Sequence, residues 1–147
     1  MTDTRLWDRA DIYRWDGDEW SRLGATREPE ARRLEAETRR LGTFAVFADT
    51  VAPRVALRAA PRRPAQRGAY SRWALEAALT EEGSGVDPRA TWFVIDGRRV
   101  PSEWDSEAGV LRWRPGRAPA AGSHRVAVVA ADRAGNARRV PGRFRLQ

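Results

Sequence analysis

Apolar residues along this chain fall in short runs, each closed by Gly, Pro, Asp or Asn, and this rhythm predicts strands rather than helices. Ile12–Trp15 and Glu19–Leu23 flank Asp16-Gly17-Asp18, a hairpin signal because glycine supplies the positive φ of the turn. Thr43–Ala48 is a third run. Arg54–Arg58 then alternates cleanly, and further strands are expected at Trp73–Leu79, Thr91–Ile95, Arg98–Val100, Val110–Trp113, Val126–Ala131 and Arg138–Leu146. Seven short strands within about one hundred residues, with regular turn signals, are the pattern of a β-sandwich. Its expected core is Trp92, Val94, Leu111, Trp113, Val126 and Val128. Residues 28–41 are ambiguous: composition favours a helix over Glu30–Arg40, whereas Leu34, Ala36 and Thr38 alternate with charged neighbours as in a half-buried strand.

Two punctuation marks stand out in the second half. Gly83-Ser84-Gly85-Val86-Asp87 precedes a strand ending in Ile95-Asp96-Gly97, and Gly122-Ser123-His124 leads through a strand into Asp132-Arg133-Ala134-Gly135-Asn136. From Val51 to Gln147 this series resembles bacterial immunoglobulin-like modules, of the kind appended to exported proteins such as lysostaphin-like cell-wall zinc endopeptidases. The resemblance implies a non-catalytic accessory or interaction module, outside the cell or in its envelope. Its partner would be an upstream domain of the same protein, another protein, or cell-wall glycan.

Leu34–Asp49 is similar to the closing pair of strands of such modules, followed by the linker-like Asp49-Thr50-Val51-Ala52-Pro53. The resemblance takes Arg32–Thr38 as a strand. The expected fold is all-β: a partial β module over residues 1–49, then an immunoglobulin-like sandwich over residues 50–147. Four strands are too few to close a sandwich. The first module is therefore expected to be the tail of a domain whose earlier strands lie upstream, and to lean on the second domain or self-associate.

Composition narrows the chemistry. The absence of cysteine excludes disulfides and thiolate sites. No apolar run approaches a membrane span, so no membrane insertion is expected. The net charge of +7 invites a nucleic-acid reading. All 27 basic residues are arginine, as in a GC-rich genome, and many sit beside acids, as in Asp8-Arg9 and Arg32-Arg33-Leu34-Glu35. Nucleic acid is therefore the weaker reading, since a binding stripe would need a continuous positive face.

Candidate sites are few. His124 is the only histidine, too little for a zinc centre, and reads as a strand-start residue covering the sandwich end. Asp87, Asp96, Asp105 and Asp132 lie in turns, where a carboxylate caps its own backbone; their alternative is calcium ligation. Of seven tryptophans, Trp73, Trp92 and Trp113 read as core. Trp104, Trp15 and Trp20 are the candidate sugar-stacking residues, with Trp104 expected to be the most exposed. No nucleophile elbow or phosphate-cradling loop is present. The chain is not expected to be an enzyme, and no catalytic residue, cofactor or metal site is assigned.

Overall fold

The computed structural model describes residues 4–62, 74–117 and 119–146. The chain separates into two compact units, Met1–Val51 and Ala52–Gln147.

The first unit opens with one helical turn, α1 (Thr4–Trp7), followed by β1 (Ala10–Trp15), β2 (Trp20–Arg22), β3 (Thr26–Glu28), β4 (Arg33–Glu35) and β5 (Thr43–Ala48). The strands form an antiparallel sheet ordered β2-β1-β5 and a separate β3-β4 ribbon. Asp16 shapes the expected hairpin, its Oδ1 accepting the backbone N–H groups of Asp18 and Glu19 at 3.2 and 3.1 Å. Asp11, only 2% exposed, ties the unit together. Its Oδ1 accepts the N–H of Ile12 and of Ala25, each at 2.7 Å, and its Oδ2 pairs with Arg22. Phe44 and Val46 of β5 remain exposed.

Residues 32–38 differ from expectation. Only Arg33–Glu35 is strand, and it pairs with β3 instead of forming a closing pair with β5, which pairs with β1. The β3 segment, Thr-Arg-Glu, has no apolar residue to announce it.

The second unit contains β6 (Arg54–Arg62), β7 (Ala74–Thr80), β8 (Trp92–Ile95), β9 (Arg98–Val100), β10 (Glu103–Asp105), β11 (Val110–Trp113), β12 (Gly122–Ala131) and β13 (Ala137–Leu146). Two four-stranded antiparallel sheets result, ordered β10-β11-β7-β6 and β13-β12-β8-β9. Labelled A to G with an extra C′, this is D-E-B-A against G-F-C-C′, the strand order of an immunoglobulin sandwich. The fold is all-β and immunoglobulin-like. Trp73 and most of the basic loop at 61–68 lie outside the described residues.

Facing side chains fill the space between the sheets. Leu75, Ala77, Leu79, Leu111 and Trp113 come from one, and Phe93, Ile95, Val126, Val128, Ala130, Phe144 and Leu146 from the other. At one edge β13 approaches β6 so closely that a Cβ on Gly142 would collide with the end of Leu57. Glycine here lets the two sheets close on each other.

One expected phase is wrong. Trp92 and Val94 face outward and are half-buried, while Phe93 is fully buried and Ile95 nearly so. Pairing with β12 fixes this, since Phe93 lies opposite Val128 and Ile95 opposite Val126. A run of four apolar residues has no alternation from which to read the phase. Leu111, Trp113, Val126 and Val128 are buried as expected.

The two motifs of the second half fold against each other. Asp132 is 2% exposed; its Oδ1 accepts the N–H of Ala134 and of Asn136 at 2.9 and 2.8 Å, and its Oδ2 accepts the Asn136 amide at 2.7 Å. Gly135 takes the left-handed conformation of that turn, with φ +86°. The Gly83–Asp87 segment locks on: Ser84 Oγ accepts the Ala134 N–H at 3.1 Å, and Gly85 O accepts that of Arg133 at 2.9 Å.

Truncating the inward ring should therefore destabilise more than truncating its outward neighbour. Phe93→Ala should cost about 3–5 kcal/mol in urea unfolding, and Trp92→Ala less than half of that. The reverse order would move the core to the other face of β8.

Candidate anion-binding face

The two sheets of the sandwich carry charge in opposite ways. On the β10-β11-β7-β6 sheet, acids and arginines interleave across strands. Arg112 lies opposite Glu76, and Glu76 opposite Arg58. The Arg112 Nε donates to Glu76 at 3.1 Å and its Nη1 to Asp105 at 2.7 Å; Arg58 stands 3.6 Å from Glu76. The Arg112 hydrogen bond holds the Asp105 carboxyl below its ordinary value, and Asp105 and then Glu76 raise the guanidinium in return. Arg114 pairs with Glu103 at 3.1 Å.

The β13-β12-β8-β9 sheet has no such compensation. Its strands contain two arginines on β9, one on β12 and four on β13, and no Asp or Glu. Strand parity sorts them. Arg125 lies opposite Arg143 and Ser123 opposite Arg145, while Val129 faces Arg139 and Trp92, and Val94 faces Arg99 and Ala127. All of these stand on the outer face, because the residues between them fill the core. Arg125, Arg139, Arg143 and Arg145 are exposed and enter no ion pair among the described residues. Like charges directly opposite each other on a sheet destabilise it, so the Arg125–Arg143 pair is a local cost.

Between these arginines lies a shallow depression of about 380 Å³ with an apolar floor of Val94, Ala127 and Pro141 and walls of Arg125, Arg139 and Arg143. At its β9 side the Arg99 guanidinium lies over the Trp92 ring, 3.9 Å from the centroid. Adjacency in sequence had suggested arginines scattered among acids. In this sheet the alternation instead collects them on one surface.

His124 sits at the end of the same sheet. Its ring stacks on Phe144 with centroids 5.0 Å apart. Nδ1 lies 2.7 Å from Asp96 Oδ2, and Nε2 lies 2.8 Å from the Ala120 carbonyl oxygen. Both neighbours only accept, so both ring nitrogens must donate, which the imidazolium alone can do. The Asp96 hydrogen bond, then the Ala120 carbonyl, raise the His124 pKa from 6.5. In return His124, then the Arg125 N–H, lower Asp96 from 3.8.

The other turn carboxylates cap locally. Asp87 accepts the N–H of Arg89 at 2.8 Å, and Asp105 that of Ala108 at 3.0 Å. The three candidate sugar-stacking tryptophans divide between the units, Trp104 in the second and Trp15 and Trp20 in the first. Trp104 is half-buried against the core, contrary to its expected exposure, because the unforeseen strand β10 sets it opposite Leu111. Trp15 and Trp20 pair across the first hairpin, 5.5 Å apart and tilted by 53°, and Trp20 meets Phe47 edge-on at 83°. These rings pack on one another at angles and do not form a coplanar row.

No protein-family model matches the chain, and no curated protein matches it.

The His124–Asp96 pair gives a pH test. A raised histidine pKa stabilises the fold fully below about 6.5 and ceases to as pH rises through the folded value. A lowered carboxyl pKa stabilises above about 3.8 and ceases to as pH falls through its folded value. The pair thus acts at full strength between these limits. The gap in thermal midpoint between wild type and His124→Gln should be large near pH ~5.5 and shrink towards pH ~9. A gap constant across that range would show that the imidazolium is not the stabilising form.

Proposed function

We propose that this chain is a non-catalytic immunoglobulin-like interaction module that binds an anionic partner through the outer face of the β13-β12-β8-β9 sheet. The observation that carries the reading is the segregation of charge: among the described side chains, one sheet pairs its arginines with acids and the other leaves them unpaired around an apolar floor. A sandwich of this topology commonly serves as a rigid support for a binding surface, and function is argued from that surface rather than from the fold. Clustered, unpaired guanidinium groups are suited to carboxylate, sulfate and phosphate, which they engage in fork geometry. The resemblance to bacterial modules supports an accessory role within a larger exported protein, where an anionic polymer of the envelope would be within reach.

The test is retention on immobilised heparin. Arg125→Gln/Arg139→Gln/Arg143→Gln should elute at markedly lower salt than wild type. The control Arg54→Gln/Arg58→Gln/Arg114→Gln loses the same charge from the opposite sheet and should elute close to wild type. Equal shifts in the two variants, with both folded by thermal melt, would reduce the effect to net charge and overturn the assignment of this face.

A further inference from the structure

The outer face offers more than positive charge, and its layout narrows the anion. Resting on the reading above, we infer that the ligand of this face is single-stranded nucleic acid, its phosphodiesters on the β12–β13 arginines and a base over the Arg99–Trp92 stack.

The arrangement of the arginines is the first reason. Arg143 and Arg145 are two residues apart on one strand and share a face, which separates their Cα atoms by about 6.8 Å. Arg125 stands directly opposite Arg143 on the neighbouring strand. Together with Arg139, four residues before Arg143 on the same strand, they form an extended array on one face, suited to a chain that carries several charges. An isolated small anion would occupy the Arg125–Arg143 pair and leave Arg139 and Arg145, which lie opposite Val129 and Ser123, without a counter-charge.

The Arg99–Trp92 stack is the second reason. Trp92 is half-buried and held from the outer side by a planar guanidinium. A base can stack on such an arginine plane as well as on an aromatic ring. The depression between this stack and the β13 arginines is floored by Val94, Ala127 and Pro141, which rewards contact with a flat ring and gives little to a fully hydrated sugar or inorganic chain. A positively charged track with a stacking platform at its side is the general design of single-strand binding surfaces. In a duplex the bases are already stacked on each other, so the platform would have no partner. Asp96, the acid in the β8–β9 turn, is engaged by the His124 ring and the Arg125 N–H and interacts electrostatically with Arg125, whereas Arg139, Arg143 and Arg145 enter no ion pair among the described residues.

The experiment is fluorescence anisotropy with the whole chain and a labelled oligothymidylate of about 20 nucleotides. A duplex of equal length and inorganic polyphosphate are compared at equal phosphate concentration. The single strand should bind tightest. Its log-affinity against log-salt slope should be about −3 for four phosphate contacts, becoming shallower by about 2 in Arg125→Gln/Arg139→Gln/Arg143→Gln. Arg99→Ala should weaken the single strand several-fold more than it weakens polyphosphate. If duplex and polyphosphate bind as tightly as the single strand and Arg99→Ala affects all alike, the single-strand inference fails while the anion-binding reading stands. If none binds at about 50 mM salt, or if the opposite-sheet control variant loses as much as the triple variant, both fail.

Discussion

Asp132 places one negative charge in an almost fully buried turn, and the register of the second unit depends on how that charge is satisfied. A buried carboxylate without partners is prohibitively costly. Here it is surrounded by backbone N–H groups from its own turn and the Asn136 side-chain amide, so the turn has one good geometry. That geometry fixes where β12 ends and β13 begins. Because side chains alternate strictly along a strand, a slip of one residue would exchange Val126, Val128 and Ala130 for Arg125, Ala127 and Val129. The fastening of Ser84 and Gly85 to the same turn carries the constraint to the segment before β8.

The alternation that buries the core also decides the surface. On β13, Arg139, Pro141, Arg143 and Arg145 point outward because Phe144 and Leu146 must point inward. The same rule operates on the opposite sheet, where Arg54, Arg58, Arg112 and Arg114 find acidic partners. The exposed outer pairs, Arg54–Glu82 and Arg114–Glu103, contribute only about 0–1 kcal/mol each, while Glu76 at the centre is buried and needs its arginine partners. The ladder leaves that sheet electrically quiet. The contrast between the two surfaces is a matter of where the acids fall, since both are rich in arginine.

Much of this was legible in the sequence. The hairpin at Asp16-Gly17, the run Thr43–Ala48, and the strands around Leu111 and Val128 follow from alternation and turn residues alone. Three things were not. The run Trp92–Ile95 is apolar throughout, so its facing depended on pairing with β12. The short strands β3 and β10 consist largely of polar residues and exist because neighbouring strands supply hydrogen-bonding edges. The arginine face was hidden because sequence neighbours are not spatial neighbours in a strand. Arg125, Arg139, Arg143 and Arg145 become one surface only when β12 and β13 are laid side by side, in the register that the Asp132 turn sets.

A face charged by arginine alone has a property that a lysine face would lack. The guanidinium stays protonated at every physiological pH and is not a substrate for the acetylation that neutralises lysine. This surface therefore has no neutral state. Its attraction can be adjusted from outside, by ionic strength or a competing anion, but not by titrating or acetylating its own charges. His124, at the end of the same sheet, is the nearest thing to an adjustable charge, and it is held by Asp96 in its charged form. Such a surface is permanently on, and because the chain has no lysine, acetylation has no side-chain amine to neutralise anywhere along it.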